Sequence, residues 1–298
     1  MATMIVQNGN SMINIVSKRV HNLRVSLWGW LIYFFLPIRK KIIHQNIDFV
    51  FQNTLSLKEK KYLAQAFYSH LLTSIKEIIF ISFIKKERLQ KLISIEGMDN
   101  LKQGISYGKG VILLTGHVGN WEFAPILGVP MMNINNNLYV IRKPIKTPWI
   151  ESWLYAHCEK AGITIISAKR SINKIRSILA QNGIVHFAID QHVGTHTKQG
   201  IAVPFFNKLA GTYSSLAILA RYTKTTIIPM STFRLNNGKH VLKFYTPIEW
   251  QEGTSYNDEI YKNTLQYNQS IEAMILEHPE QWWWVHKRWK KLEGEKIS

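Results

Sequence analysis

The stretch TGHVGNWEF, residues 115–123, sets an imidazole and a carboxylate five positions apart, His117 and Glu122, among Gly116, Gly119 and Asn120. A carboxylate bonded to one ring nitrogen of a histidine fixes its tautomer and raises the basicity of the other nitrogen. That second nitrogen can then take a proton from an alcohol. The device needs no metal or cofactor, and no protein nucleophile if the alcohol belongs to the substrate. Gly116 and Gly119 allow a sharp turn and close approach of a ligand to the backbone. A helix starting near Asn120 would offer free N–H groups to a negative or polarised oxygen. A lone histidine also has purely structural uses, so the elements around it carry the argument further.

GKGVILL, just before this stretch, is apolar and bounded by glycine, the pattern of a buried strand. Further strands are predicted in NNLYVIRKP (stopped by Pro144), ITIIS, IVHFAID (ending at Asp190) and TTIIPM. Helices are predicted in TPWIESWLYAHCEKAG, SINKIRSILAQNG, TYSSLAILARYT and YNDEIYKNTLQYNQSIEAMILEHP. In the second of these Ile172, Ile175 and Leu179 face inward and Gly183 is the stop. STFRLNNGKHVLKFYT reads as a hairpin turning at Asn-Gly. The alternation implies an α/β fold, a largely parallel mixed sheet flanked by helices. Ligands bind such sheets beyond the carboxyl ends of the strands, which brings His117, Arg142 and Asp190 to one edge.

VSLWGWLIYFFLPI, residues 25–38, is the most apolar stretch, flanked by Lys18, Arg19 and Arg24 and by Arg39, Lys40 and Lys41. It is shorter than the roughly 20 residues a spanning helix needs. Trp28, Trp30 and Tyr33 are types that settle at headgroup level. Residues 1–45 therefore read as an N-terminal membrane-associating segment with an apolar helix dipping into, or marginally crossing, the cytoplasmic leaflet; a buried core helix is the alternative. Residues 46–298 read as the domain that carries the chemistry, with a helical part at about 46–94. There Ser56 and Glu59 have capping-box spacing. Leu63, Phe67, Leu71, Ile75 and Ile79 form one stripe, able to pack on the domain or to extend a membrane-facing surface.

Lys and Arg number 37 against 19 Asp and Glu, a formal charge of +18. Such a surplus attracts anions: nucleic acid, acidic proteins, phosphorylated lipids or an anionic membrane face. The one cysteine, Cys158, excludes an intrachain disulfide and reads as a core residue. His192 and His196 lack a third ligand, so no metal is expected. VPFF reads as core or as apolar wall. In PEQWWWVHKRWKK, Trp282, Trp283, Trp284 and Trp289 interleave with His286, Lys287, Arg288, Lys290 and Lys291. Aromatics among cations can stack single-stranded nucleic acid or sit at an anionic bilayer face.

The blocks GKGVILLTGHVGNWE, RKP, AIDQHVG, VPFFNKLAGT and PEQWWWVHKRWKK resemble, in order and approximate spacing, the bacterial lipid A biosynthesis acyltransferases. These are the late lauroyl/myristoyl transferases of the lysophospholipid acyltransferase superfamily, with a glycerolipid acyltransferase-like fold. The resemblance covers nearly the whole chain, and GHVGNWE and PEQWWWVHKRWK are its most specific pieces.

The resemblance implies that His117 is the general base and Glu122 its orienting partner. The acceptor would be a hydroxyl on a 3-hydroxyacyl chain of an anionic, phosphorylated lipid A precursor. The donor would be a fatty acyl thioester of acyl carrier protein, and transfer would be direct, at the cytoplasmic face of the inner membrane. Asn120, Arg142, Lys143, Asp190, Gln191, His286 and Arg288 become candidate substrate-binding residues. Among them Arg142 is assigned to the oxyanion or a lipid phosphate, and Lys143 to a phosphate or the carrier. Asp190 is assigned to a sugar or to bracing the site loop through backbone N–H groups. His286 and Arg288 would also lock the C-terminal segment. Nucleic acid is not an expected partner on this reading. The alternatives are an acyltransferase for another glycolipid or aminolipid, and a basic membrane- or nucleic-acid-binding protein without chemistry.

Overall fold

Strand β2 (Val111–Thr115) is buried along its whole length, and a strand with no polar face belongs inside a sheet covered on both sides. In the structure, a computed structural model, β2 lies at the centre of seven strands. The description covers residues 16–290 and 292, apart from 37, 84–87, 89, 136, 169–170 and 198. The other strands of the sheet are β1 (Ile93–Glu96), β3 (Leu138–Arg142), β4 (Ile163–Ser167), β5 (Ile184–Ala188), β8 (Thr226–Arg234) and β9 (His240–Phe244), in the order β1-β9-β8-β2-β5-β3-β4. All neighbours are parallel except β8 and β9, which form the expected hairpin with Gly238 in the left-handed region at φ 83°. A separate hairpin, β6 (Gly200–Phe205) and β7 (Lys208–Tyr213), contains the VPFF segment. Val203 and Phe205 are core residues there.

The helices are α1 (Leu27–Phe35), α2 (Lys40–Phe51), α3 (Leu57–Phe80), α4 (Met98–Ser106), α5 (Phe123–Gly128), α6 (Pro148–Lys160), α7 (Ile172–Ala180), α8 (Ser215–Thr223) and α9 (Tyr256–Glu277). Alternate residues of a strand point to opposite faces, and β2 divides its side chains accordingly. Ile112 and Leu114 join a core with α7, α8, α9 and the C-terminal tryptophans. Val111 and Leu113 join a second core with α5 and α6, which includes Cys158. In α7 Ile175 and Leu179 point inward as expected. Ile172, placed inward by periodicity, is instead 40% exposed on the first turn, and Ile178 takes the buried position.

The Ser56–Glu59 capping box of α3 forms as read. Its stripe changes role along the helix: Leu63 and Phe67 are fully buried, whereas Ile75 and Ile79 are 45% and 55% exposed. α1 is nine residues long. It lies on α3 at Gly29, where a Cβ would come within 2.1 Å of Ser69 Oγ. Leu27, Trp28, Phe35 and Leu36 remain exposed, while Val16, Val20 and Tyr33 share the core that includes Ile112. No helix among the described residues is long and apolar enough to cross a membrane.

The Trp-rich tail corrects its surface reading. Trp282 and Trp284 are fully buried, and Trp284 donates its indole N–H to the Pro279 carbonyl at 2.6 Å. These two covered rings offer no platform for nucleobases, and Trp283 and Trp289 are half-buried against the same core. Replacing Trp284 by alanine is expected to lower stability by about 3–5 kcal/mol, measured as a fall in the urea unfolding midpoint with unchanged slope.

Candidate active site

β2 and β5 pair in parallel with Thr115 opposite Ala188. His117 and Asp190 lie two residues beyond that pair on their respective strands, so the register alone makes them neighbours. Gly119 sits at φ 68°, and a Cβ there would lie 2.1 Å from the Thr232 carbonyl oxygen. Only glycine fits this turn.

The loop is gripped from several sides. The His117 carbonyl accepts from the Trp283 N–H at 2.9 Å, and the Gly119 N–H donates to the Gln281 carbonyl at 2.8 Å. Val118 forms an antiparallel bridge with Trp282, and Thr232 Oγ1 donates to the Val118 carbonyl at 2.9 Å. The tail thus acts as a short strand laid along the loop. The Gln281 side-chain amide fixes it to β8 by bonding both the N–H and the carbonyl of Arg234.

Asp190 is buried and accepts three hydrogen bonds: from the His117 backbone N–H at 2.8 Å, His117 Nδ1 at 2.7 Å and Trp282 Nε1 at 2.9 Å. Burial works against its charge, but the His117 ring and these donors outweigh it and hold the carboxyl well below the usual carboxylate range. A carboxylate only accepts, so Nδ1 carries the proton and Nε2 the lone pair. For His117 burial likewise opposes the charged form. The charge and hydrogen bond of Asp190, aided by the charge of Glu122, prevail and raise its pKa above 6.5. Gln191 places its amide nitrogen 3.1 Å from His117 Nε2 and 3.2 Å from His286 Nε2. Burial dominates and, with the charges of His117, Arg39 and Lys143, outweighs the opposing pull of Asp190 and holds His286 down at about 4, so that ring is neutral.

Several expected contacts are corrected. Glu122 is not bonded to His117. Beyond the turn at Gly119 it faces the end of β3 and pairs with Arg142 through two bonds of 3.0 and 2.9 Å. The orienting carboxylate is Asp190, 73 residues away in sequence. Asn120 is buried, with its amide donating to the Ser74 carbonyl at 3.2 Å and to Glu77 at 2.8 Å and its Oδ1 accepting from the Phe123 N–H, so it holds the start of α5. α5 itself begins at Phe123. Arg288, offered for substrate, is fully buried and bonds Gly211 O and Thr212 Oγ1 of β7 at 2.7 Å each. Arg142, Gln191 and His286 are half-buried at the site, and Lys143 is exposed beside it.

Sequence reasoning misses a second buried cluster. Glu77 of α3 receives Arg234 Nε at 2.6 Å, His240 Nε2 at 3.0 Å and the Asn120 amide, while Arg234 also reaches His70 and Ser74. The available signal is a glutamate inside the apolar run IKEIIF. Among the described residues no group of three or more His, Cys, Asp or Glu side chains is arranged to hold a metal ion.

A family model described as bacterial lipid A biosynthesis acyltransferase matches residues 3–291. The chain belongs to that family. The acyltransferase is 24% identical over 257 residues to the lipid A biosynthesis palmitoleoyltransferase of Escherichia coli (strain K12), covering 86% of this chain and 80% of that protein. It is 22% identical over 266 residues to the lipid A biosynthesis lauroyltransferase of the same organism, covering 88% and 82%. A lipid A biosynthesis acyltransferase of Haemophilus influenzae (strain ATCC 51907 / DSM 11121 / KW20 / Rd) is 22% identical over 275 residues, covering 90% and 84%.

Substituting Asp190 by asparagine in this acyltransferase removes the charge that raises the His117 pKa. The raised pKa means His117 is neutral only at higher pH; without Asp190 the acid limb of the rate profile is expected to move to lower pH. Loss of the fixed tautomer is expected to reduce kcat by about 10³-fold or more, both read from pH–rate profiles of the two proteins.

Proposed function

We propose that the protein transfers a fatty acyl chain from the thioester of acyl carrier protein to a hydroxyl on a 3-hydroxyacyl chain of a phosphorylated lipid A precursor, at the cytoplasmic face of the inner membrane. The observation that carries this reading is the His117 ring, fixed at Nδ1 by Asp190 and bearing its lone pair on Nε2. In the proposed reaction Nε2 takes the hydroxyl proton as the oxygen attacks the thioester carbonyl. A C–O bond forms and an oxyanion results. Its collapse breaks the C–S bond, and the proton on His117 passes to the leaving thiolate. Asp190 stabilises the transient imidazolium.

The surroundings suit these partners. Arg39 and Lys143 are near enough to influence His286 electrostatically. Arg142 retains guanidinium N–H groups beyond the two given to Glu122. Guanidinium and ammonium groups match phosphate oxygens. The +18 surface would steer an acidic carrier protein. Residues 1–45 act here as the membrane-associating segment. α1 packs on α3 and leaves Leu27, Trp28, Phe35 and Leu36 exposed, and α3 exposes Ile75, Ile79 and Phe80, a pattern that suits helices lying in the interface.

The purified protein, given acyl carrier protein thioester and lipid A precursor, is expected to release free carrier thiol. His117→Ala should lower the rate by about 10³-fold or more with vesicle binding unchanged. A deletion strain should yield lipid A short of one secondary acyl chain by mass spectrometry. Complete lipid A together with a change in another glycolipid would assign the acceptor elsewhere.

A further inference from the structure

Gln191 directly follows Asp190, so the residue that fixes one nitrogen of His117 delivers this amide to the other. Asp190 holds the proton on Nδ1, which leaves a lone pair on Nε2 facing the Gln191 amide nitrogen at 3.1 Å. The same nitrogen lies 3.2 Å from Nε2 of His286, whose ring is neutral. An NH₂ group has two protons, one for each imidazole, and an amide oxygen in its place would meet the His117 lone pair. The amide therefore occupies the position from which an acceptor hydroxyl must hand over its proton.

The reaction also needs donors for the oxyanion, and several backbone N–H groups of the His117 loop are engaged elsewhere. The His117 N–H goes to Asp190, the Val118 N–H to the Gly116 carbonyl and the Gly119 N–H to the Gln281 carbonyl. Arg142 directs two of its five N–H groups to Glu122, and the remaining ones suit an acceptor phosphate. α5 is six residues long and its Phe123 N–H is capped by Asn120. Gln191 has a polar hydrogen at the reacting nitrogen and only a neutral partner to leave.

We propose that Gln191 is a catalytic residue, its amide N–H capping the His117 lone pair in the free enzyme and donating to the oxyanion once the acceptor hydroxyl displaces it. His286 is the positioning residue that keeps the displaced amide in place through its second N–H. The inference rests on the acyl transfer proposed above. The hydroxyl proton moves to His117 Nε2, the thioester carbonyl oxygen gains the negative charge while hydrogen-bonded to Gln191, and the C–S bond breaks as that charge collapses.

The test measures steady-state kinetics of Gln191→Leu and Gln191→Glu with acyl carrier protein thioester and lipid A precursor, beside the wild type. Leucine removes the donor and keeps the bulk; glutamate keeps the shape and is the informative variant if leucine disturbs the loop. Both are expected to lower kcat by about 10²-fold or more, with KM for each substrate within about threefold. In Gln191→Leu the acid limb of the pH profile should also move to higher pH, because the lost N–H favoured neutral His117. A kcat within about threefold of wild type, or a loss confined to KM, overturns the role of Gln191. Absence of thiol release by the wild type overturns the acyl-transfer reading itself, and this inference with it.

Discussion

A carboxylate removed from water is tolerable only when donors replace its hydration, and Asp190 meets that condition with groups from two distant parts of the chain. Two donors come from His117, at the end of β2, and the third from Trp282 in the C-terminal tail. The geometry of His117 and the packing of the tail are therefore one problem with one solution. If the tail detached, Asp190 would lose a charge-assisted bond and the His117 loop its bridge to Trp282. Burying a run of tryptophans is consistent with this, since each indole N–H needs a partner when covered. Trp282 finds Asp190, Trp284 the Pro279 carbonyl and Trp289 the Phe205 carbonyl at 3.2 Å. Arg288 then ties the end of the tail to β7 and stacks on Phe205 at 4.6 Å.

Glu77 repeats the principle at the other side of the loop. Burial opposes its charge, but His240 and Arg234 more than compensate and hold it down at about 2. The Asn120 amide completes the shell and passes the constraint to the first turn of α5. α3 is thus fixed to the sheet and to the His117 loop at a point between Ile75 and Ile79, which face outward. Attachment at this position ties the exposed apolar end of α3 to the loop that carries His117, which would suit the proposed transfer of acyl chains beside a lipid surface.

Much of this fold is legible in the sequence because buried parallel strands are short apolar runs between breakers, and amphipathic helices declare their period. GVILLT, ITIIS, the Asn-Gly hairpin and the Ser56 capping box all follow that logic. What sequence proximity cannot supply is which carboxylate meets His117. That depends on the alignment of Thr115 with Ala188 across the sheet, and on the left-handed turn at Gly119 that swings Glu122 toward β3. A run of apolar residues fits several parallel registers equally well, so neither fact is encoded locally. The tail misleads for a related reason: Trp alternating with Lys and Arg has the composition of an interface, and only the tertiary partners of the indole N–H groups mark it as core.

The diversion of Glu122 also has an electrostatic consequence. In its proposed role as general base His117 would have to be neutral when the substrate arrives, and Asp190 already raises its pKa against the opposing effect of burial. Glu122 adds to that rise, so as a free carboxylate beside the ring it would hold more of the imidazole protonated and idle. Arg142 acts in the opposite direction, and its two bonds to Glu122 turn that charge into a compact ion pair whose field falls off faster than a single charge. The rings of His286 and of His186, the latter lowered to about 4 by burial and by the charge of His117, are neutral and add no cation beside His117. The basicity of His117 is therefore set by one carboxylate in direct contact and one neutralised at a distance. That division explains why the carboxylate nearer in sequence is paired with arginine while the remote one is left to the imidazole.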